Sequence, residues 1–168
     1  MIYELSNFLS PNECNKYIDM IDSNKIIVPF TNSGKFINNK WKDVELASLF
    51  YEKLELYNIK DNVKRPNNII MSGKYIPGDS FSLHTDTGLF YDKNAKEETR
   101  WTLLIYLNDN YVGGETIFYD DKWDVTKIVK PELGKAILFD IDLWHKANEL
   151  NEGIKYWIGC EMIGNMIK

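Results

Sequence analysis

Apolar residues change their spacing along this chain, and the change divides it. Cys14, Tyr17, Ile18 and Ile21 recur at helical intervals behind Ser10-Pro11-Asn12-Glu13. That tetrapeptide reads as a helix start: Ser10 can cap orphan N–H groups, Pro11 fits the first turn, and Glu13 completes a capping box. A polar loop, Thr31 to Lys40, is expected next. A second helix is then expected from about Trp41 to Tyr57, with Val44, Leu46, Leu49, Phe50, Leu54 and Leu56 as its apolar face. After Pro66 the period shortens. Ile69–Met71, Tyr75–Ile76, Phe81–His84, Trp101–Leu107, Thr116–Tyr119, Val125–Val129, Lys135–Phe139 and Tyr156–Met162 read as short strands. Pro77-Gly78, Asn108-Asp109, Gly113-Gly114, Pro131 to Gly134 and Asn151 to Gly153 are the turns between them. Many short strands behind a helical start predict an α+β, mainly β fold: a sandwich or jelly roll with the N-terminal helices packed on one face. Thr87 to Thr99 is long, polar and free of strand signal, so it is expected to be a loop and a candidate lid.

A length of 168 residues suits a single domain, with a helical part over about residues 1–60 and a β core over about 66–168. No repeat or linker interrupts it. A hydrophobic content of 44% predicts a packed core rather than a disordered chain. The net charge is −5, and Arg65 and Arg100 are the only arginines, so no basic stripe marks a nucleic-acid partner. Cys14 and Cys160 are too few and too far apart for a disulfide framework. Met1 to Leu5 shows no signal-peptide pattern and no stretch reaches membrane-spanning length, which predicts a cytoplasmic protein without a membrane partner.

Candidate chemistry centres on the two histidines, His84 and His145. In a strand, side chains two apart share a face, so His84-Thr85-Asp86 would aim an imidazole and a carboxylate at one point, with Thr85 turned away. With His145 from a distant strand they make a 2-His-1-carboxylate set, which leaves open positions on a non-heme Fe(II). The plain alternative is two unrelated histidines, one in a loop and one in the core. Ten residues beyond His145 and past a turn signal lies Lys155, flanked by Ile154, Tyr156, Trp157 and Ile158. An ammonium among such neighbours is costly unless paired, and the far carboxylate of an iron-chelating dicarboxylate would supply the pair. The alternative is a surface lysine at a hairpin end.

These residues carry a family resemblance. The chain resembles the prolyl 4-hydroxylase branch of the Fe(II)/2-oxoglutarate-dependent dioxygenases, through four blocks in order. They are Leu5 to Cys14; Tyr75-Ile76-Pro77-Gly78-Asp79 through His84-Thr85-Asp86; Leu103 to Asp109 with Gly113-Gly114-Glu115-Thr116-Ile117-Phe118; and Gly134 to Phe139 through His145 to Gly153-Ile154-Lys155-Tyr156. The resemblance implies a double-stranded β-helix (jelly-roll) core. It implies iron on His84, Asp86 and His145, and 2-oxoglutarate with its distal carboxylate on Lys155. It also places Tyr75 and Thr102 against the cosubstrate. The reaction it implies consumes O₂ and 2-oxoglutarate and hydroxylates a C–H bond, with ascorbate as a possible reductant. The apolar interior, with residues such as Leu83, Leu104 and Phe139, would shield the oxidant. Lys155 disfavours related branches, nucleic-acid demethylases among them, that resemble one another in using arginine there, since no arginine follows Arg100; an intact Asp86 disfavours halogenation.

The blocks depart from the family pattern near the substrate. Asp142 to Asn148 lacks the His-Glu-Gly stretch common in close relatives, and Arg100 stands one position from a family arginine associated with peptide binding. Arg100 and Trp144 are the candidate substrate contacts, and Trp101 and Trp123 could shape a groove; Arg100 could equally pair with Glu97 or Glu98, and the tryptophans could be core. The leading expectation is a hydroxylase of a prolyl residue in a peptide or protein. Its competitors are a hydroxylase of a free amino acid or small metabolite, a non-catalytic metal-binding β-sandwich module, and a zinc hydrolase.

Overall fold

The computed structural model describes residues 1–23, 28–29, 37–59, 63–88 and 90–166. Its first strand, β1 (Ile2–Leu5), leads into α1 (Pro11–Asp22), and the helix begins as its sequence dictates. Ser10 Oγ accepts from the Glu13 amide at 3.3 Å, and Glu13 Oε2 accepts from the Ser10 amide at 2.8 Å. Cys14, Tyr17 and Ile21 are buried. Strands β2 (Val28–Pro29) and β3 (Ile37–Lys42) follow, then α2 (Val44–Glu55). The expected polar loop is therefore a strand in its described part, and residues 31–36 lie outside the described residues.

The second helix starts three residues later than its apolar pattern suggested. Trp41 and Lys42 pair with Ile70 and Ile69 in the sheet. Asp43 then turns the chain and accepts from the Leu46 amide at 2.9 Å, as an N-cap aspartate does. The buried face is Leu46, Ala47, Phe50 and Leu54, whereas Val44, Leu49 and Leu56 are exposed.

Eleven more strands complete the chain: β4 (Arg65–Tyr75), β5 (Phe81–His84), β6 (Tyr91–Asp92), β7 (Glu97–Tyr106), β8 (Val112–Gly113), β9 (Thr116–Tyr119), β10 (Val125–Val129), β11 (Ala136–Asp140), β12 (Trp144–Ala147), β13 (Leu150–Glu152) and β14 (Lys155–Asn165). They form a major sheet in the order β1-β11-β7-β14-β4-β3-β2, with β6 added beside β7, and a minor sheet β10-β9-β12-β5. The short pair β13-β8 stands apart. All described pairings are antiparallel. The mainly β jelly-roll expectation is met, and the two apolar runs at Ile69 and Tyr75 belong to one long strand, β4.

Alternation sorts the long strands into two cores. Leu103 and Ile105 of β7, Leu138 of β11 and Ile158, Cys160 and Met162 of β14 face the helices, against Phe50, Tyr17 and Leu46. Tyr106, Ile137 and Phe139 face inward and meet Phe118 and Val129 of the minor sheet. The helices thus cover one face of the major sheet, and the minor sheet faces the other.

The expected lid is built differently. Tyr91 and Asp92 pair with Glu98 and Glu97, and the Asp92 carboxylate accepts from the amides of Asn94 and Ala95 at 2.9 and 3.0 Å. The described part of this segment is a hairpin on the sheet edge, while Leu89 lies outside the described residues. Among the described residues, no helix is long and apolar enough to cross a membrane.

The β7–β14 seam at the centre of the sheet leaves no room at Gly159. An added Cβ there would stand 1.9 Å from the Leu103 carbonyl oxygen. Gly159→Ala should lose about 1–3 kcal/mol of stability, the range for overpacking, measured by urea denaturation; an unchanged midpoint would mean that the seam yields.

Candidate metal centre

Strand pairing brings the two histidines together. Strand β12 lies between β9 and β5, and its pairing with β5 sets His145 opposite His84. The ring centroids are 4.3 Å apart. Asp86 arrives by another route. Strand β5 ends at His84, and the following backbone is held by the Asp86 amide donating to the Ile141 carbonyl at 3.1 Å. Strict alternation is therefore not what aligns His84 with Asp86, and Thr85 lines the same cavity rather than turning away. Asp86 Oδ1 lies 3.4 Å from His84 Nε2 and 3.8 Å from His145 Nε2. One ligand atom from each residue falls within 4.8 Å of the others.

Each ligand is held from behind. His84 Nδ1 meets the Ser82 carbonyl at 2.7 Å and His145 Nδ1 meets the Leu143 carbonyl at 2.9 Å. A carbonyl only accepts, so both Nδ1 atoms carry the proton and both Nε2 lone pairs face the centre. Thr102 Oγ1 donates to Asp86 Oδ2 at 2.5 Å and leaves Oδ1 turned toward the imidazoles. Burial alone would raise the Asp86 pKa, but the adjoining His84 and His145 rings and the Thr102 hydroxyl hold it below the usual carboxylate range. Burial lowers the pKa of His145, which is backed by Phe139 and Phe118 at centroid distances of 4.8 and 5.7 Å. Two unprotonated imidazole nitrogens and one ionised carboxylate oxygen, all on one side of a point, suit a non-heme Fe(II) with positions left open.

The three groups open into a cavity of about 280 Å³ that runs between the sheets. Lys155 lines it too, from the first residue of β14 in the major sheet rather than from a strand beside β12. Its side chain is 1% exposed. Nζ donates to the Gly114 carbonyl at 2.7 Å and lies 5.1 and 5.5 Å from the ring centroids of Tyr75 and Tyr106. Burial pulls its pKa down to about 7, with the Glu115 carboxylate opposing. Gly114 makes this placement feasible: its φ of +69° suits glycine, and a Cβ there would press within 3.1 Å of Lys155 Cδ. A buried cation whose hydrogen bond goes to a neutral carbonyl fits a carboxylate ligand. Tyr75, paired in register with Lys155 across β4–β14, lines the same end. Burial raises its pKa, so its hydroxyl stays protonated.

Other expected residues lie elsewhere. Arg100 is outside the cavity lining and pairs with Glu98 at 3.2 Å. Trp144 is also outside it: alternation along β12 sends His145 inward and Trp144 outward, edge-to-face on Trp123 at 5.0 Å. Trp101 is core. Leu104 and Phe139 line the cavity, but Leu83 is 37% exposed, because its neighbour His84 takes the inward face of the strand. Several cavity residues escaped the sequence reading, among them Asn39, Lys40, Met71, Thr116 and Glu161. Glu161 carried a usable signal, since Lys155, Trp157, Gly159 and Glu161 alternate along one strand.

Comparison with known proteins agrees with this geometry. The sequence pattern described as the 2OG-Fe(II) oxygenase superfamily matches residues 70–160, more than half of the chain. A search of curated proteins gave no match. Among solved structures, a viral collagen prolyl hydroxylase of Paramecium Bursaria Chlorella virus-1, in complex with 2OG, superposes with a TM-score of 0.69 at 21% identity, covering 99% of this chain and 96% of the other. A prolyl-4-hydroxylase of Pseudomonas putida gives 0.72 at 12% identity, covering 99% and 92%. A prolyl hydroxylase of Trichoplax adhaerens, in complex with a hypoxia inducible factor peptide fragment, gives 0.66 at 14%, covering 97% and 83%.

Two measurements test the arrangement. Thr102→Val should weaken Fe(II) binding about 10–100-fold, the usual effect of losing a group that orients a ligand, in an anaerobic calorimetric titration; unchanged affinity would mean that Asp86 holds itself. Lys155 has a folded pKa of about 7, below the 10.5 of an ordinary lysine. Between those values the unfolded chain binds more protons, so the destabilisation by the buried charge is full below about pH 7 and fades as pH rises. Lys155→Met should therefore stabilise the protein by roughly 1–4 kcal/mol near pH 6, with the gain shrinking toward pH 10 in thermal melts. A destabilised variant at pH 6 would show that the ammonium is well compensated.

Proposed function

The chain belongs to the 2OG-Fe(II) oxygenase superfamily, and we propose on that basis that it is a 2-oxoglutarate-dependent dioxygenase that hydroxylates an unactivated C–H bond of a prolyl residue in a peptide or protein. One observation carries the reaction type: the three metal-ligating side chains and a buried lysine share one cavity. His84, Asp86 and His145 would hold the iron, and Lys155 would hold the distal carboxylate of 2-oxoglutarate. Bound there, these groups and O₂ supply the oxidation, in which 2-oxoglutarate becomes succinate and CO₂ and one oxygen atom enters the substrate C–H bond.

The protein's own part is orientation and exclusion of water. Thr102 keeps one carboxylate oxygen of Asp86 aimed inward, and the two carbonyls behind the histidines fix their rings. Lys155 meets an arriving dicarboxylate as an ammonium under two aromatic faces, and the protonated Tyr75 hydroxyl can donate to the same ligand. Leu104 and Phe139 keep the metal side of the cavity apolar.

The prolyl substrate is supported by fold similarity to prolyl hydroxylases at identities of 21% and below. The acidic balance and the absence of arginine beyond Arg100 speak for a peptide over a nucleic acid.

Anaerobic addition of Fe(II) and 2-oxoglutarate should produce the weak visible band of the chelate. His145→Ala should abolish it, and Lys155→Met should raise the 2-oxoglutarate requirement far more than the Fe(II) requirement. In air, a proline-containing peptide should accelerate succinate formation and gain one oxygen atom by mass spectrometry. No band from folded protein would overturn the oxygenase reading; a band with no peptide response would remove the prolyl substrate alone.

A further inference from the structure

Trp157 stands beside the Lys155 end of the cavity and takes no part in holding the metal. It follows Lys155 by two residues on β14, so both side chains take the inward face of the strand, and both line the cavity. Across the β14–β4 pairing, Lys155 lies opposite Tyr75 and Trp157 lies opposite Gly73. Gly73 has no side chain to crowd the indole. Tyr75 is then the diagonal neighbour of Trp157 on the same face, within reach of an aromatic side chain. Trp157 packs against the buried cluster of Tyr75 and Leu150.

The polar edge of the indole matters as much as its apolar area. Its N–H is a side-chain hydrogen-bond partner of the Tyr75 hydroxyl. An indole can only donate, whereas a phenol can donate and accept, so Trp157 donates and Tyr75 accepts. That bond uses a lone pair of the hydroxyl and leaves its proton for an acceptor. The ammonium of Lys155, 5.1 Å from the Tyr75 ring centroid, has no lone pair to offer. A carboxylate held by Lys155 does.

Resting on the oxygenase reading of the site, we infer that Trp157 is a positioning residue for the cosubstrate: its N–H turns the Tyr75 hydroxyl so that the Tyr75 proton and the Lys155 ammonium meet the same distal carboxylate. Trp157 does not touch that carboxylate and acts through Tyr75. One charged donor and one neutral donor suit the two oxygens of the group. An indole without its N–H would leave the phenol proton free to turn away, and the carboxylate would lose part of its second hydrogen bond while keeping the first.

The Fe(II)-loaded protein, titrated anaerobically with 2-oxoglutarate and followed by the chelate band, tests this. Tyr75→Phe should raise the half-saturating concentration about tenfold or more, the effect of losing a hydrogen bond to a charged group. Trp157→Phe should raise it about threefold or more, and the double variant should match Tyr75→Phe alone within about twofold, because two residues that act through one hydroxyl are not additive. Fe(II) affinity should stay unchanged in all three. Benzothienylalanine at position 157 keeps the bicyclic shape and removes only the N–H, so it separates the hydrogen bond from packing and should reproduce the Trp157→Phe effect. Full 2-oxoglutarate affinity with benzothienylalanine, no effect of Tyr75→Phe, effects that multiply in the double variant, or an equal loss of Fe(II) affinity would each overturn the assignment. Failure of the chelate band itself in the unsubstituted protein would instead overturn the oxygenase reading on which it rests.

Discussion

The ammonium of Lys155 is the constraint around which the cavity is arranged. Burying an unpaired charge costs several kcal/mol even after relaxation, and this one sits under the faces of Tyr75 and Tyr106 with a neutral carbonyl as its hydrogen-bond partner. The surrounding elements accommodate it at some expense. Gly113 and Gly114 both take positive φ, and the short β13–β8 pair closes that end of the sandwich. Such a local conflict between burial and charge is what a functional site looks like in an otherwise consistent fold. The apolar walls that make the lysine costly also strengthen its attraction for an incoming anion, since both effects follow from the same low dielectric.

The metal-ligating groups depend on a different kind of order. Their geometry is fixed by backbone pairing and by hydrogen bonds from groups that never touch the centre. Register across β5 and β12 sets the two imidazoles side by side, tilted by 51°, and carbonyls two residues upstream select their tautomers. Thr102, on a long central strand, turns Asp86. Because Thr102 and Ser82 belong to strands and the Asp86 backbone is tied to Ile141, the three ligands are held in place before any ion arrives, which is the condition for tight and specific binding.

Much of this was legible in the sequence, for reasons that differ by element. The start of α1 was readable because capping is local: Ser10 and Glu13 satisfy each other within three residues. The start of α2 was not, because Trp41 has apolar character that suits either a helix or a strand, and only pairing with β4 decides it. His84, Asp86 and His145 lie together as the sequence suggested, yet the alternation rule reached Asp86 through a strand that stops at His84. Leu83 was expected in the apolar interior, but its neighbour His84 takes the inward face of β5, which sends Leu83 outward. Arg100 could be read either as a substrate contact or as a partner of its acidic neighbours, and in the structure it pairs with Glu98 outside the cavity lining. Asn39 could not have been found at all: its place in the cavity depends on which strand lies next to β3.

Lys155 and the metal-ligating trio give the cavity a direction. The ammonium stands at one end, and the ligands for a cation lie further along the same cavity. An anionic cosubstrate entering this field has one favourable orientation, with its far carboxylate against Lys155 and its other end at the metal. The rigidity of the strands fixes this direction: Lys155 opens the long strand β14, while the β5–β12 pairing holds His84 and His145, so the anion-binding end and the metal-ligating groups cannot drift together.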